Sequence, residues 1–113
     1  MKTEKHCFQI ESSTPPTVEI DTQAAAVYVR FRKTAIARTV SNSAALMHIA
    51  IDLDAKNQVV GIEAVGVQEF NLKAILRHAN VHAPRVDVGK ARYVAAELAT
   101  ADRKSTRLNS SHG

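Results

Sequence analysis

His48, Asp52 and Glu63 lie within one short stretch of the chain, at spacings that could support chemistry. Two carboxylates in one site push their pKa values apart, so that one can serve as acid and the other as base. A carboxylate can also orient a histidine for proton transfer. The same three side chains offer oxygen and nitrogen donors to a metal ion, and His78 and His82 repeat the i, i+4 spacing of a helical ligand pair. The helical pattern around His78 ends near Asn80, however, before His82 is reached, and no HExxH or CxxC motif is present. Cys7 is the only cysteine, which excludes an intramolecular disulfide and a multi-cysteine zinc cage. No metal site and no cofactor are therefore expected.

The geometry of the pair follows from the alternation around it. Met47, Ile49, Ile51 and Leu53 share one strand face, and Val60, Ile62 and Ala64 repeat the pattern after the polar turn Ala55-Lys-Asn-Gln58. Pairing Asp54 with Val59 joins the two runs as a hairpin with one apolar face, which must be buried. That register sets Asp52 opposite Gly61 and Glu63 opposite Ala50, diagonal to Asp52 and His48. Diagonal neighbours stand roughly 7–8 Å apart, and a sheet surface offers no deep pocket. A solvated face with cross-strand pairs is thus the first expectation for Asp52, Glu63 and His48, and a hydrolytic enzyme built on them ranks third.

A basic cluster ranks second. Arg30, Arg32, Lys33 and Arg38 surround one hairpin, and Tyr28 shares a strand face with Arg30, so the group could touch a phosphate backbone. Asp52, Asp54 and Glu63 in the same small sheet would neutralise it. Aromatic residues make up 4% of the chain, which leaves few platforms for stacking bases. Gly61 is read as a site of bulging, local twist or close packing, and Tyr28 as an amphipathic cap. There is no Gly-rich phosphate cradle, GxSxG elbow or cofactor-lysine motif.

The elements that must position these residues are short. Residues 1–16 form a flexible arm ending in Ser12-Ser-Thr-Pro-Pro16, in which Cys7-Phe-Gln-Ile10 could make an edge strand. Residues 18–20 begin ordered structure, and Asp21 turns the chain through its side chain. The next strand covers 26–31, with Val27, Val29 and Phe31 on one face and Ala26, Tyr28 and Arg30 on the other. Another covers 36–40, before a turn at Ser41-Asn-Ser43. After Gly66 the period changes. Asn71 can cap a helix whose Leu72, Ile75, Leu76 and Ala79 form a docking stripe, with Asn80 as its stop. A second helix is expected over 88–99, with Asp87 as cap and Gly89 as a weak point in its first turn. The expected fold is α+β: a small antiparallel sheet of four to five strands between residues 17 and 66, with one or two C-terminal helices.

The pieces Ile20-Asp21, Val27-Tyr28-Val29, Arg38-Thr39, Asp52-Leu53-Asp54 and Val59-Val60-Gly61-Ile62-Glu63 resemble the pattern of the DUF2283 family, small bacterial proteins of unknown function. The likeness covers residues 18–66, and more loosely extends to the first helix. It implies a short antiparallel sheet followed by a helix and carries no activity. Ile20 and Ala25 depart from the family's aromatic residue and second turn aspartate, and 41–46 lacks its usual glycine.

The end of the chain stands apart. Asp102-Arg-Lys-Ser-Thr-Arg-Leu-Asn-Ser-Ser-His112 resembles a translated short-read sequencing adapter, so residues 102–113 are set aside as an artefactual, disordered tail. The tail holds three basic residues and one acidic residue, so without it the net charge of the 113-residue chain falls from +4 to +2. Such a charge gives little support for nucleic-acid binding. Residues 17–101 then form one domain, small enough that oligomerisation would help complete its core. With no apolar leader or membrane-length run, a cytoplasmic protein with no membrane partner is expected. The leading function is a protein-interaction or regulatory module, with a homodimer among its expected forms. The alternatives are a nucleic-acid-associated accessory protein using the basic hairpin patch and a small hydrolytic enzyme using the paired carboxylates.

Overall fold

The computed structural model describes residues 7–42, 47–67 and 70–95. The apolar alternation folds as a hairpin of β5 (His48–Leu53) and β6 (Val59–Val65) at the middle of a larger sheet. Ahead of it come β1 (Phe8–Gln9), β2 (Thr17–Asp21), β3 (Ala26–Arg30) and β4 (Arg38–Ser41). After it come α1 (Leu72–Ala79), β7 (Val81–His82) and β8 (Arg92–Ala95).

The fold is α+β, but the expected single antiparallel sheet of four to five strands is corrected. Six strands form a mixed sheet in the order β4-β5-β6-β3-β2-β8, and β1 and β7 form a separate parallel pair. In the antiparallel part, β2–β3, β4–β5 and β5–β6 pair strands that are consecutive in sequence, as short-range signals reveal. In contrast, β3 pairs with β6 across a long separation, from Arg30 opposite Gly61 to Ala26 opposite Val65. The parallel pairing of β8 with β2 joins residues more than 70 positions apart, and no turn signal encodes such a crossover.

The helix expected over 88–99 is also corrected. Asp87 does cap, accepting from the Gly89 N–H at 3.0 Å, but only a single 3₁₀ turn, Val88–Lys90, follows. Gly89 weakens helical propagation, while Tyr93 and Val94 suit an extended strand. Residues 96–99 of that expected helix lie outside the described residues, as do residues 1–6, Leu46 and the 102–113 tail.

The hairpin register holds from His48 to Asp52, with Ile51 opposite Ile62 and Asp52 opposite Gly61. Nearer the turn it shifts, and Leu53 faces Val59. The Asp54 N–H bonds the Gln58 carbonyl at 3.0 Å, the Asn57 N–H bonds the Asp54 carbonyl at 2.9 Å, and Asn57 takes a left-handed φ of 64°. That makes a three-residue loop rather than the expected four, and a β-bulge absorbs the extra residue. Val59 therefore enters the core cluster in the place expected of Val60, which is itself buried.

One face of the sheet carries the core. Val18, Val27, Val29, Ile49, Ile51 and Ile62 are buried there with Leu72, Ile75, Leu76 and Ala79 of α1. The helix ends as its sequence predicts: the Asn71 side chain accepts from the Ala74 N–H at 3.0 Å, and Asn80 closes it in the left-handed conformation. Asn42, past the end of β4, donates its side-chain amide to the Ala79 carbonyl at 2.8 Å, satisfying a helix-terminal acceptor from the sheet. Phe8 and Ile10 donate to the Asn80 and His82 carbonyls, so the possible edge strand near Cys7 is realised as β1. No helix among the described residues is long and apolar enough to cross a membrane.

Candidate functional site

The opposite face of the sheet brings together most of the residues with chemical potential. Alternation on β3 turns Tyr28 and Arg30 to this face, and the neighbouring strands contribute Glu19, Thr39, Asp52, Gly61 and Glu63. Tyr28 stands opposite Glu63 across the β3–β6 ladder, yet its hydroxyl passes over Gly61 to donate to Asp52 Oδ2 at 2.7 Å. Thr39, opposite Asp52 on β4, donates to Oδ1 at 2.6 Å. One carboxylate thus accepts hydroxyls from two strands that are not its hairpin partner.

Gly61 makes the crossing possible. A Cβ there would sit 2.5 Å from Tyr28 Cζ and 2.7 Å from Cε2, well inside van der Waals contact. Of the roles expected for this glycine, close packing is the one this geometry displays. The Arg30 guanidinium lies 5.1 Å from the centre of the Tyr28 ring, within cation–π range, and 3.6 Å from the Glu19 carboxylate.

Asp52, Glu63 and His48 occupy the register positions expected of them, but not as one reactive group. Asp52 is buried and accepts from Tyr28 and Thr39; Glu63 lies diagonal to it, and His48 is exposed opposite Val65. In this arrangement each Asp52 oxygen has a hydroxyl donor and the side chain has little exposed surface. His78 and His82 lie on different elements, α1 and β7, on either side of the Asn80 cap. No group of three or more possible metal ligands occurs among the described residues.

The basic residues are dispersed into local contacts. Arg32 bridges to Asp54 and also donates to Gln58, while Arg38 Nε donates to Asn57 Oδ1 at 2.9 Å. Lys33 is exposed in the connection before β4. Asp54 accepts from the Lys56 and Gln58 amides, each at 2.9 Å. The Gln58 N–H is the largest influence holding the Asp54 carboxyl below its ordinary value; burial opposes it, and Lys56 and Arg32 reinforce it.

Sequence reasoning missed several features. Glu19 is nearly buried beside Arg30, and its place opposite Tyr28 could have been read once β2 and β3 were paired. An open cleft of about 610 Å³ lies beside α1, floored by Leu76, Val81 and Val86, with exposed Lys73 and Arg77 in its lining. Tyr93, within the span where periodicity predicts a helix, is 51% exposed on the edge strand β8, its ring perpendicular to that of Phe70 with centroids 5.6 Å apart. The strand preference of Tyr93 and Val94 was a local signal for β8, but its place beside β2 at the sheet edge was not locally encoded.

No family model, no curated protein and no solved structure matches this chain.

Proposed function

We propose that this chain is a small cytoplasmic protein-interaction module that associates through an open edge of its sheet, with a homodimer as its simplest form. The observation that carries the reading is the end of the six-stranded sheet. Among the described residues β8 has a strand neighbour on one side only, and it presents the half-exposed Tyr93. An open strand is a template for pairing with another chain, through main-chain bonds and alternate side chains. Membership of the DUF2283 family is part of the proposal and rests on the residue pattern between positions 18 and 66.

Two alternatives are set below it on particular contacts. Nucleic-acid binding would draw on Arg30, Arg32, Lys33 and Arg38, three of which have acidic or amide side chains of the protein as partners. A hydrolase would need Asp52 to meet a substrate, and its oxygens accept from Tyr28 and Thr39.

The test is solution mass by sedimentation, for the full chain and for a chain ending at Ala101, over a range of protein and salt concentrations. Edge pairing through backbone and apolar groups predicts a dimer that persists in high salt. A monodisperse monomer up to the highest concentration reached overturns the reading. Association seen only at low salt, or only with added nucleic acid, transfers support to the basic patch.

A further inference from the structure

The backbone of β8 specifies more than an open edge. The Arg92 N–H donates to the Pro16 carbonyl at 3.0 Å, and β8 runs parallel to β2 with Arg92 opposite Thr17. In a parallel ladder, alternate residues of a strand bond to a given neighbour. Arg92 and Val94 therefore direct their amides and carbonyls at β2, and Tyr93 and Ala95 direct theirs away from the sheet.

From this alternation we infer that β8 is the homodimer strand, pairing antiparallel with β8 of a second copy about a twofold axis through Val94. The inference rests on the interaction reading above and adds the edge, the occupant and the register. Outward-facing groups must meet outward-facing groups, so only registers that pair Tyr93 or Ala95 with Tyr93 or Ala95 are allowed. With Val94 on the axis, each Tyr93 faces the second copy's Ala95, which forms four backbone hydrogen bonds within the described strand. The other two allowed registers, Tyr93 opposite Tyr93 and Ala95 opposite Ala95, each form only two backbone hydrogen bonds between residues of β8. In the first, the Ala91 N–H cannot add to the flanking pair because it is bonded to the Val88 carbonyl. Arg92, the one charge on β8, is kept from standing opposite its own copy.

Several observations favour a second copy over a charged partner. Tyr93 is the most exposed large hydrophobic residue described, ahead of Ile36 and Val65. β8 has neither proline nor lysine, the residues that commonly protect an edge. The other end of the sheet, β4, is more polar and follows a run of exposed residues from Arg32 to Ala37. Joining β8 to β8 would extend the sheet from six strands to twelve across the two copies and would leave each Tyr93 covered by its partner.

The register can be tested in the full chain with Cys7→Ser as background, so that one engineered thiol is present per copy. Val94 would be a non-hydrogen-bonded pair across the axis, with Cα atoms about 4.5 Å apart, a distance a disulfide spans. Val94→Cys is expected to form a covalent dimer under mild oxidation, whereas Arg38→Cys on β4 stays monomeric on a non-reducing gel. Tyr93→Lys, with unchanged circular dichroism, is expected to raise the dimer dissociation constant at least tenfold. A chain that remains dimeric by mass, yet cross-links through Arg38→Cys and not Val94→Cys, overturns this inference and leaves the interaction reading standing. A chain that is monomeric throughout overturns both. A dimer unaffected by Tyr93→Lys overturns the assignment of β8 alone.

Discussion

The Tyr28 hydroxyl donates to Asp52 Oδ2 at 2.7 Å, joining β3 to β5 across the intervening strand β6. Two residues 24 positions apart thereby clamp three strands on the face opposite the core. Thr39 completes the clamp from β4, so four consecutive strands meet at one buried carboxylate. Burial makes the arrangement matter: a carboxylate removed from water must have its acceptor sites filled by the protein.

Tyr28→Phe keeps the ring and removes the donor, leaving Asp52 buried with one hydroxyl fewer. The expected loss of stability is about 1–3 kcal/mol, the usual cost of depriving a buried group of its partner. Thr39→Val should cost less, about 0.5–1.5 kcal/mol, since Thr39 is at an exposed strand edge. Urea unfolding of both single variants and the double variant checks this. Additive costs would show that the two hydroxyls act independently on the carboxylate, and no loss on Tyr28→Phe would contradict the role given to its bond.

Gly61→Ala places a methyl group where the Tyr28 ring lies. The ring can move only by giving up its bond to Asp52, so a loss of about 1–3 kcal/mol is expected from overpacking. In a Tyr28→Val background the same substitution should cost far less. Equal costs in both backgrounds would remove the ring from the explanation.

Acid should act through Asp54. Its folded-state pKa lies below the ordinary aspartate value of 3.8, chiefly because the Gln58 N–H bonds the charged form. The unfolded chain therefore binds the proton first, and stability rises with pH in this window. The contribution is fully present above the unfolded value and is lost as pH falls through the folded one. Compared with Asp54→Asn, the wild type should keep a constant advantage near neutrality that shrinks below about pH 4. An NMR titration of the Asp54 carboxyl gives the folded value directly, and a midpoint at or above 3.8 would contradict the assignment.

Ala25 offers a stabilising change. It takes a φ of 51° in the turn between β2 and β3, where a side chain is strained, and its carbonyl accepts from the Gly66 and Val67 amides. Ala25→Gly relieves a left-handed penalty of about 1–2 kcal/mol but adds about 0.5–1 kcal/mol of unfolded-state entropy. A net gain of roughly 0.5–1 kcal/mol is expected, seen as a higher urea midpoint. A lower midpoint would mean that the turn tolerates the alanine without strain.

What could be read along the chain was whatever local periodicity enforces. Alternation placed Tyr28 and Arg30 on one face of β3 and Val27 and Val29 on the other. The same logic set Asp52 opposite Gly61 and put Leu72, Ile75, Leu76 and Ala79 on the buried stripe of a helix capped by Asn71 and Asn80. These outcomes depend on neighbours within a few residues, or on a hairpin closed by its own turn. The one-residue slip at Val59 escaped because a left-handed Asn57 tightened the loop, and loop geometry depends on backbone dihedrals that residue types only bias. Non-local pairings were out of reach. β8 lies beside β2 with Arg92 opposite Thr17, and β1 beside β7 with Phe8 opposite Val81, pairings between distant parts of the chain that no turn encodes. The Tyr28–Asp52–Thr39 clamp is of the same kind: alternation supplied each side chain's face, but their convergence required the order β4-β5-β6-β3, fixed by packing over the whole sheet.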